Sequence, residues 1–330
     1  MTKSVNGTSP RRVRHGSGSP MPTEHASVRV VHKPWGVGDL KPWSNIDGSG
    51  GAVGELWFER SDESAPTPAL LLKLLFTSQP LSIQVHPDDT FARAMGMPNG
   101  KSEAWYILSA QPDAQIGAGL KHQVTAQQLR ASIQDGSIAE LVHWRSVAAG
   151  DVIYIPAGTI HAIGAGIVLA EIQQRSDTTF RLFDYGRQRE LHEDNAVAVA
   201  HPWPLRTLGN SAAVTANRTL LVASKHFVLE RIELPGGSNW ALLAEPETWM
   251  LILEGHAAVG LAPASVGEAI FIGGGRNSIE VGDNGLSALI AYPASRPVDL
   301  LLQSLDQPGK HARPVAHSVP QFAGLAEART

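Results

Sequence analysis

Gly150-Asp-Val-Ile-Tyr-Ile-Pro-Ala-Gly-Thr-Ile-His161 is the stretch that decides the fold. A glycine opens it and a run of strand-forming residues follows. Pro156 and Gly158 then punctuate a turn that ends on a histidine. The pattern recurs: Gly267-Glu-Ala-Ile-Phe-Ile-Gly-Gly-Gly-Arg-Asn-Ser278 aligns with it without gaps, and upstream Glu103-Ala-Trp105 matches Glu247-Thr-Trp249. The chain therefore carries two copies of one β unit. The first copy is 27 residues longer, with 58 positions from Glu103 to His161 against 31 from Glu247 to Ser278. The surplus holds the best helical pattern in the sequence, Thr125 to Leu141. Thr125 is its N-cap, and Leu129, Ile133 and Ile138 form its apolar stripe. An insertion there predicts a lid or pocket wall.

Strand signals dominate elsewhere. Ser82-Ile-Gln-Val-His86 alternates, and Ala104 to Leu108, Ile167 to Ile172, Phe227 to Leu234, Trp249 to Leu253 and Leu286 to Tyr292 are β-branched or aromatic runs. Leu191 to Ala200 is the only other helical signal. Many short strands between Gly and Pro turns predict an all-β protein of two jelly-roll barrels, with a small helical insertion near 121–143 in the first. Residues 1–28, rich in Ser, Gly, Pro, Arg and His without an apolar run, read as a disordered tail rather than a secretory signal. The first lobe is expected over 29–210, the second over 211–300, and a mostly disordered tail over 301–330.

Composition narrows the function classes. The 330 residues carry a net charge of −4, which gives no reason to expect nucleic acid or an anionic membrane as partner. There is no cysteine, which excludes disulfide scaffolds, thiolate metal sites and thiol nucleophiles, and which suits a reducing cytoplasm as the location. The longest apolar run, Ala69 to Phe76, is too short to span a bilayer and is interrupted by Lys73. Any metal must be held by His, carboxylate or amide oxygen.

Such a set exists. Gln84 and His86 stand two apart in an alternating strand and share a face. Glu103 lies on the next strand, and His161 ends the Pro-Ala-Gly turn. Two imidazoles, a carboxylate and an amide oxygen make a four-ligand set suited to Zn²⁺, one ion per chain, with other divalent ions as alternatives. Lys73 shares a face with Leu71 and Leu75; a buried lysine is costly, so it is expected to point into a polar pocket.

The Gly150–His161 turn resembles the second cupin motif. Leu81-Ser-Ile-Gln-Val-His-Pro-Asp-Asp89, Gly100-Lys-Ser-Glu-Ala-Trp105 and Glu171-Ile-Gln-Gln-Arg-Ser-Asp-Thr-Thr-Phe-Arg-Leu-Phe-Asp-Tyr185 resemble the signatures of the type I phosphomannose isomerases, in their short bacterial form. Lys33-Pro-Trp-Gly36 and Gly54-Glu-Leu-Trp57 resemble that family's opening segment. The likeness covers roughly residues 30–293 and is strongest over 71–193. It implies that Gln84, His86, Glu103 and His161 bind zinc. It also implies interconversion of mannose 6-phosphate and fructose 6-phosphate by proton transfer through a cis-enediol. The product of such a reaction would serve mannose catabolism or the supply of activated mannose.

The resemblance also implies site roles. Arg181 matches the family's active-site arginine, and a fixed guanidinium suits an enediolate or a phosphate. Lys101, two residues before Glu103, faces the same side and is a candidate proton shuttle or phosphate contact; zinc beside it would depress its pKa. Asp177 and Glu171 match acidic pocket positions, as proton carriers or as holders of Arg181. Lys73 matches an active-site lysine, and Ser82, on the face of Gln84, is placed to bind phosphate or a sugar hydroxyl. Asp88 and Asp89 cap the Pro87 turn. Longer relatives often have His where this chain has Gly100. The expected partner is a phosphorylated hexose; no oligomeric state follows. Two rival readings are a cupin dioxygenase and a non-catalytic sugar-phosphate sensor. The second lobe, with Ser278 in place of His161, is expected to be metal-free, and Glu247 is expected not to be a ligand.

Overall fold

Strand Leu70–Thr77 is buried on both faces, and its alternation explains the layering of the protein. The computed structural model describes residues 23–46, 50–205 and 211–306. Leu70, Leu72, Leu74 and Phe76 point one way, together with Leu56, Phe58, Ala104, Tyr106 and Ile172, and meet Leu221, Leu229, Trp249, Leu251 and Phe271. Leu71, Lys73 and Leu75 point the other way, toward Trp105, Ile107, Ile116, Ala118 and Ile163. A strand with two buried faces reads as the continuous apolar run seen in the sequence.

This strand belongs to a six-stranded antiparallel sheet. Its order is Ser27–Val37, Val53–Glu59, Leu70–Thr77, Ile167–Gln174, Glu103–Ala110 and Val152–Ile155. One face lies on a ten-stranded sheet built from residues 212–304 together with Thr23–His25. The other looks onto a five-stranded sheet, ordered Phe180–Phe183, Ile83–Val85, His161–Ile163, Gln115–Leu120 and Val142–Ser146. The protein is thus mostly β, as expected. Among the described residues no helix is long and apolar enough to cross a membrane.

The helical insertion forms where predicted, as Ala126–Asp135 and Ile138–Leu141. Thr125 Oγ1 accepts from the Gln128 N–H, Gln128 Oε1 accepts from the Thr125 N–H, and Gly136 ends the helix at φ 81°. The expected lid or wall is corrected. Leu129, Ile133 and Ile138 pack on Ile83, Val85, Ala162, Phe180 and Leu182, the face of the five-stranded sheet that looks away from the other two sheets. An apolar stripe needs an apolar partner, and that face supplies one.

The repeat is present with a one-residue correction. Glu103 pairs with Ile155, and in the second copy it is Thr248, not Glu247, that pairs with the equivalent Ile272. Met250 accordingly takes the inward place of Trp105, and Trp249 turns outward into the core between sheets. A slip of one residue reverses every side chain. Glu247 instead accepts the Ala69 and Leu70 N–H groups, each at 2.7 Å, at the start of the strand that bears Lys73.

The expected tail is also shorter than 1–28. Residues 1–22 lie outside the described residues, but Thr23–His25 pairs with Ala269–Ile272, and Ser27 and Val28 begin the strand Ser27–Val37. Composition hid this because an edge strand tolerates polar residues. Glu24 is used in an ion pair with Arg60 at 2.6 Å. At the other end Leu302–Ser304 pairs with Asn239–Ala244, and 307–330 lies outside the described residues.

Candidate metal and sugar-phosphate site

The inner face of the five-stranded sheet carries a cross-strand row. Arg181 lies opposite Gln84, and Gln84 opposite His161. Directly opposed residues share a face, so the three side chains project into the space below the six-stranded sheet. That sheet supplies Glu103, Trp105, Lys73, Glu171 and Glu55 on its facing side. Gly158 sets up the turn into His161: its φ is 85°, and a Cβ there would lie 2.7 Å from the His201 ring.

His86 Nε2 and His161 Nε2 each lie 3.4 Å from an oxygen of Glu103, and the three donor atoms fall within 4.8 Å of one another. All three side chains are buried. His86 Nδ1 is 2.9 Å from Thr178 O and His161 Nδ1 is 2.8 Å from Thr159 O. Each ring thus donates its Nδ1–H to a backbone carbonyl and turns the lone pair of Nε2 toward Glu103, the orientation typical of a metal ligand. Both Glu103 oxygens are buried, and apart from the ion pair that Lys101 Nζ makes with Oε2 no donor among the described residues meets them in hydrogen-bonding geometry. The Gln84 amide lies 3.2 Å from His161 Nε2 and brings a fourth group to the same point. Its oxygen and nitrogen exchange places by a half-turn. Burial, with Lys101 adding to it, lowers His86 to about 3, and burial also lowers His161. Burial would raise the Glu103 carboxyl, but Lys101, His86 and His161 outweigh it and hold it well below the usual range. Neutral imidazoles and an ionised carboxylate with Oε1 left open, at one point, fit a divalent cation.

A second polar array adjoins this one. Lys101 Nζ is 3.0 Å from Glu103 Oε2 and 3.1 Å from His86 Nε2. Burial works against its charge, but Glu103 and Glu171 outweigh burial and raise its pKa. Lys73 is 3% exposed, with Nζ 3.3 Å from Glu171 Oε1, 3.6 Å from Glu55 Oε2 and 4.2 Å from the Trp57 ring centroid. Trp105 Nε1 donates to Glu171 Oε2 at 3.1 Å. Burial and Glu103 raise the Glu171 carboxyl, against Lys101 and Lys73.

The structure thus gathers Gln84, His86, Glu103, His161, Lys101, Glu171 and Lys73, with Ser82 beside them: its Oγ donates to Gln84 Oε1 at 3.3 Å. Arg181 stands at the end of the cross-strand row, half-buried, its Nε bonded to Glu190 O at 3.1 Å. Asp177 is not gathered in; it is exposed on the loop 175–179. Glu171 does not hold Arg181 but bonds Trp105 and Lys73. Glu55 was not singled out from sequence. Its Oε2 accepts from Trp57 Nε1 at 2.6 Å, and Lys33 Nζ lies 3.3 Å from Oε1. A carboxylate in the apolar run Val53–Glu59 was the signal available. In the second copy, the positions of Gln84, His86, Glu103 and His161 fall on Ala241, Leu243, Thr248 and Ser278 by strand register.

No family model matches the chain. It is 44% identical over 137 residues to mannose-6-phosphate isomerase ManA of Bacillus subtilis, covering 39% of this chain and 43% of that protein. It is 34% identical over 203 residues to mannose-6-phosphate isomerase of Streptococcus mutans, covering 58% and 63%. The matched stretch thus spans less than two thirds of either relative. Its fold resembles the crystal structure of the mannose 6-phosphate isomerase from Bacillus subtilis with a TM-score of 0.73 at 22% identity, over 82% of this chain and 99% of that one. The chain is thus similar in sequence, over part of their length, to proteins named mannose-6-phosphate isomerase, and it shares the fold of the Bacillus subtilis enzyme.

Proposed function

We propose that the protein interconverts mannose 6-phosphate and fructose 6-phosphate by proton transfer through a cis-enediol, with one Zn²⁺ per chain held by His86, His161, Glu103 and Gln84. The three sheets then read as two cupin barrels, of which only the first bears a site, and the protein works in the cytoplasm. The observation that carries the reading is the meeting of His86, Glu103 and His161 with the cation–carboxylate array of Lys101, Glu171 and Lys73 on one inner face. Phosphosugar isomerisation asks for both: a polarising centre for sugar oxygens, and groups that give and take a proton.

When bound, the metal orients the sugar and polarises its oxygens. The chain's own residues supply the rest. Lys101 and Glu171 hold and return the proton that moves between C2 and C1. Lys73 keeps Glu171 in place, and the indole N–H of Trp105 fixes the orientation of its carboxylate. Arg181, at the open end of the row, meets the anionic end of the substrate, with Ser82 as a hydroxyl contact. Asp177, exposed on its loop, enters the site only if that loop moves.

The test is an assay of the full chain on mannose 6-phosphate after chelation, with and without added Zn²⁺, following fructose 6-phosphate. Zinc-restored turnover supports the reading. A tightly bound metal without turnover overturns it, and oxygen uptake with Fe²⁺ would then point to a dioxygenase, while substrate binding alone would point to a sensor.

A further inference from the structure

The metal-facing groups are split between two sheets. Gln84 and His161 lie on the five-stranded sheet and His86 immediately follows its strand Ile83–Val85, whereas Glu103 lies on the six-stranded sheet. Among the described residues no strand ladder joins these sheets, so strand pairing does not set the gap between His86 and Glu103. Something at the junction must.

Asp89, three residues after His86, opens the short helix Asp89–Ala94. Its Oδ1 accepts from the Gly100 N–H and from Gln174 Nε2, both at 2.9 Å. The other end of the same amide, Gln174 Oε1, accepts from the Ser102 N–H at 2.9 Å, and the Gln174 N–H donates to Ser102 O at 3.1 Å. Lys101, between them, donates its N–H to Pro87 O at 3.0 Å. Gln174 is buried and ends the strand that carries Glu171. There is little slack: a Cβ on Gly100 would lie 2.4 Å from the Asp88 carbonyl carbon and 2.5 Å from Pro87 O, so the two segments touch backbone to backbone.

We infer that Asp89 and Gln174 are a positioning pair, which sets the spacing of His86 against Lys101 and Glu103 by tying the turn after one sheet to the strand that begins the other. The inference rests on the metal reading above and concerns the affinity of the site for its ion. Gln174→Glu puts a second carboxylate 2.9 Å from Asp89, where like charges repel. Asp89→Asn with Gln174→Glu removes the repulsion and returns part of the tie: because the one atom Oδ1 accepts from both Gly100 and Gln174, an Asn there either donates to the new carboxylate or accepts from Gly100, not both.

The experiment titrates Zn²⁺ against a competing chelator into the stripped full chain, for wild type, Gln174→Glu and the double variant, with near-ultraviolet circular dichroism confirming that each is folded. Partners bonded directly to ligands are worth roughly 10–100-fold in metal affinity, and a pair one step further out is expected at the low end, about 10-fold. The single variant should lose that much and the double should regain part of the loss. A folded single variant that binds Zn²⁺ like wild type, or a folded double variant no better than the single, overturns the pair. If Gln174→Glu does not fold, Gln174→Met, which removes both bonds without adding charge, is read in the same way. A wild-type chain that binds no metal overturns the metal reading and this inference together, a result distinct from either failure above.

Discussion

Replacing Lys73 by Met removes an ammonium and keeps the length of the side chain, so the perturbation is almost purely electrostatic. The ammonium lies 3.3 Å from Glu171 and 3.6 Å from Glu55 in a region closed to water. Removing one partner of a buried pair strands the other, at a cost of about 3–5 kcal/mol. In a chain of this size that lowers the melting temperature by roughly 4–7 °C. The cost should depend on pH with a definite sign. Burial and Glu103 already raise the Glu171 carboxyl, and Lys73 is one of the two cations opposing them. Without Lys73 it rises further. A carboxyl raised by folding costs stability at pH above its folded pKa; below the ordinary carboxylate pKa, where folded and unfolded chains are both protonated, it costs nothing. The deficit of Lys73→Met against wild type should therefore be largest near pH 8 and shrink toward pH 5. The assay is thermal unfolding of both chelated proteins across that range. A deficit under about 1 kcal/mol, or one that does not change with pH, would refute the assignment of Lys73 as the counter-charge of Glu171.

Other consequences are as direct. Lys101→Met should leave the zinc content unchanged and lower kcat by roughly 10²–10⁴-fold, the usual worth of a proton-transfer group; near-normal kcat would remove it from that role. Arg181→Met should raise KM for mannose 6-phosphate by about tenfold or more, as loss of a charge-assisted contact does, and an unchanged KM would show that the phosphate lies elsewhere. Trp249→Ala, in the core between sheets, should cost about 3–5 kcal/mol by denaturant unfolding while leaving zinc affinity intact; loss of zinc binding instead would mean that the register of the second copy has been misread.

The convergence of Gln84, His86, Glu103 and His161 was legible in the sequence because strand alternation is rigid: Gln84 and His86 two apart must share a face, and a Pro-x-Gly turn that ends in His161 places its ring. The same rigidity explains the misreading of the second copy. The Glu-x-Trp pattern at Glu247 and Trp249 is a coincidence of letters one step out of register, and only the ladder, with Thr248 opposite Ile272, reveals it. The helices near 121–143 were found by period and cap, but their side of the sheet was not, because an apolar stripe names no partner. Asp177 looked equivalent to Glu171 as an acidic residue in a motif. The strand Ile167–Gln174 buries one, and the loop after it exposes the other. Gln174 bonds Ser102 and Asp89, partners distant in sequence that no local pattern encodes.

The most direct test of the whole account measures bound zinc and isomerase rate on the same samples, as Zn²⁺ is added back to the chelated chain. The account predicts that the rate rises in proportion to bound metal and saturates at one ion per chain. Turnover independent of metal content, or one tightly bound ion with no turnover, would contradict it.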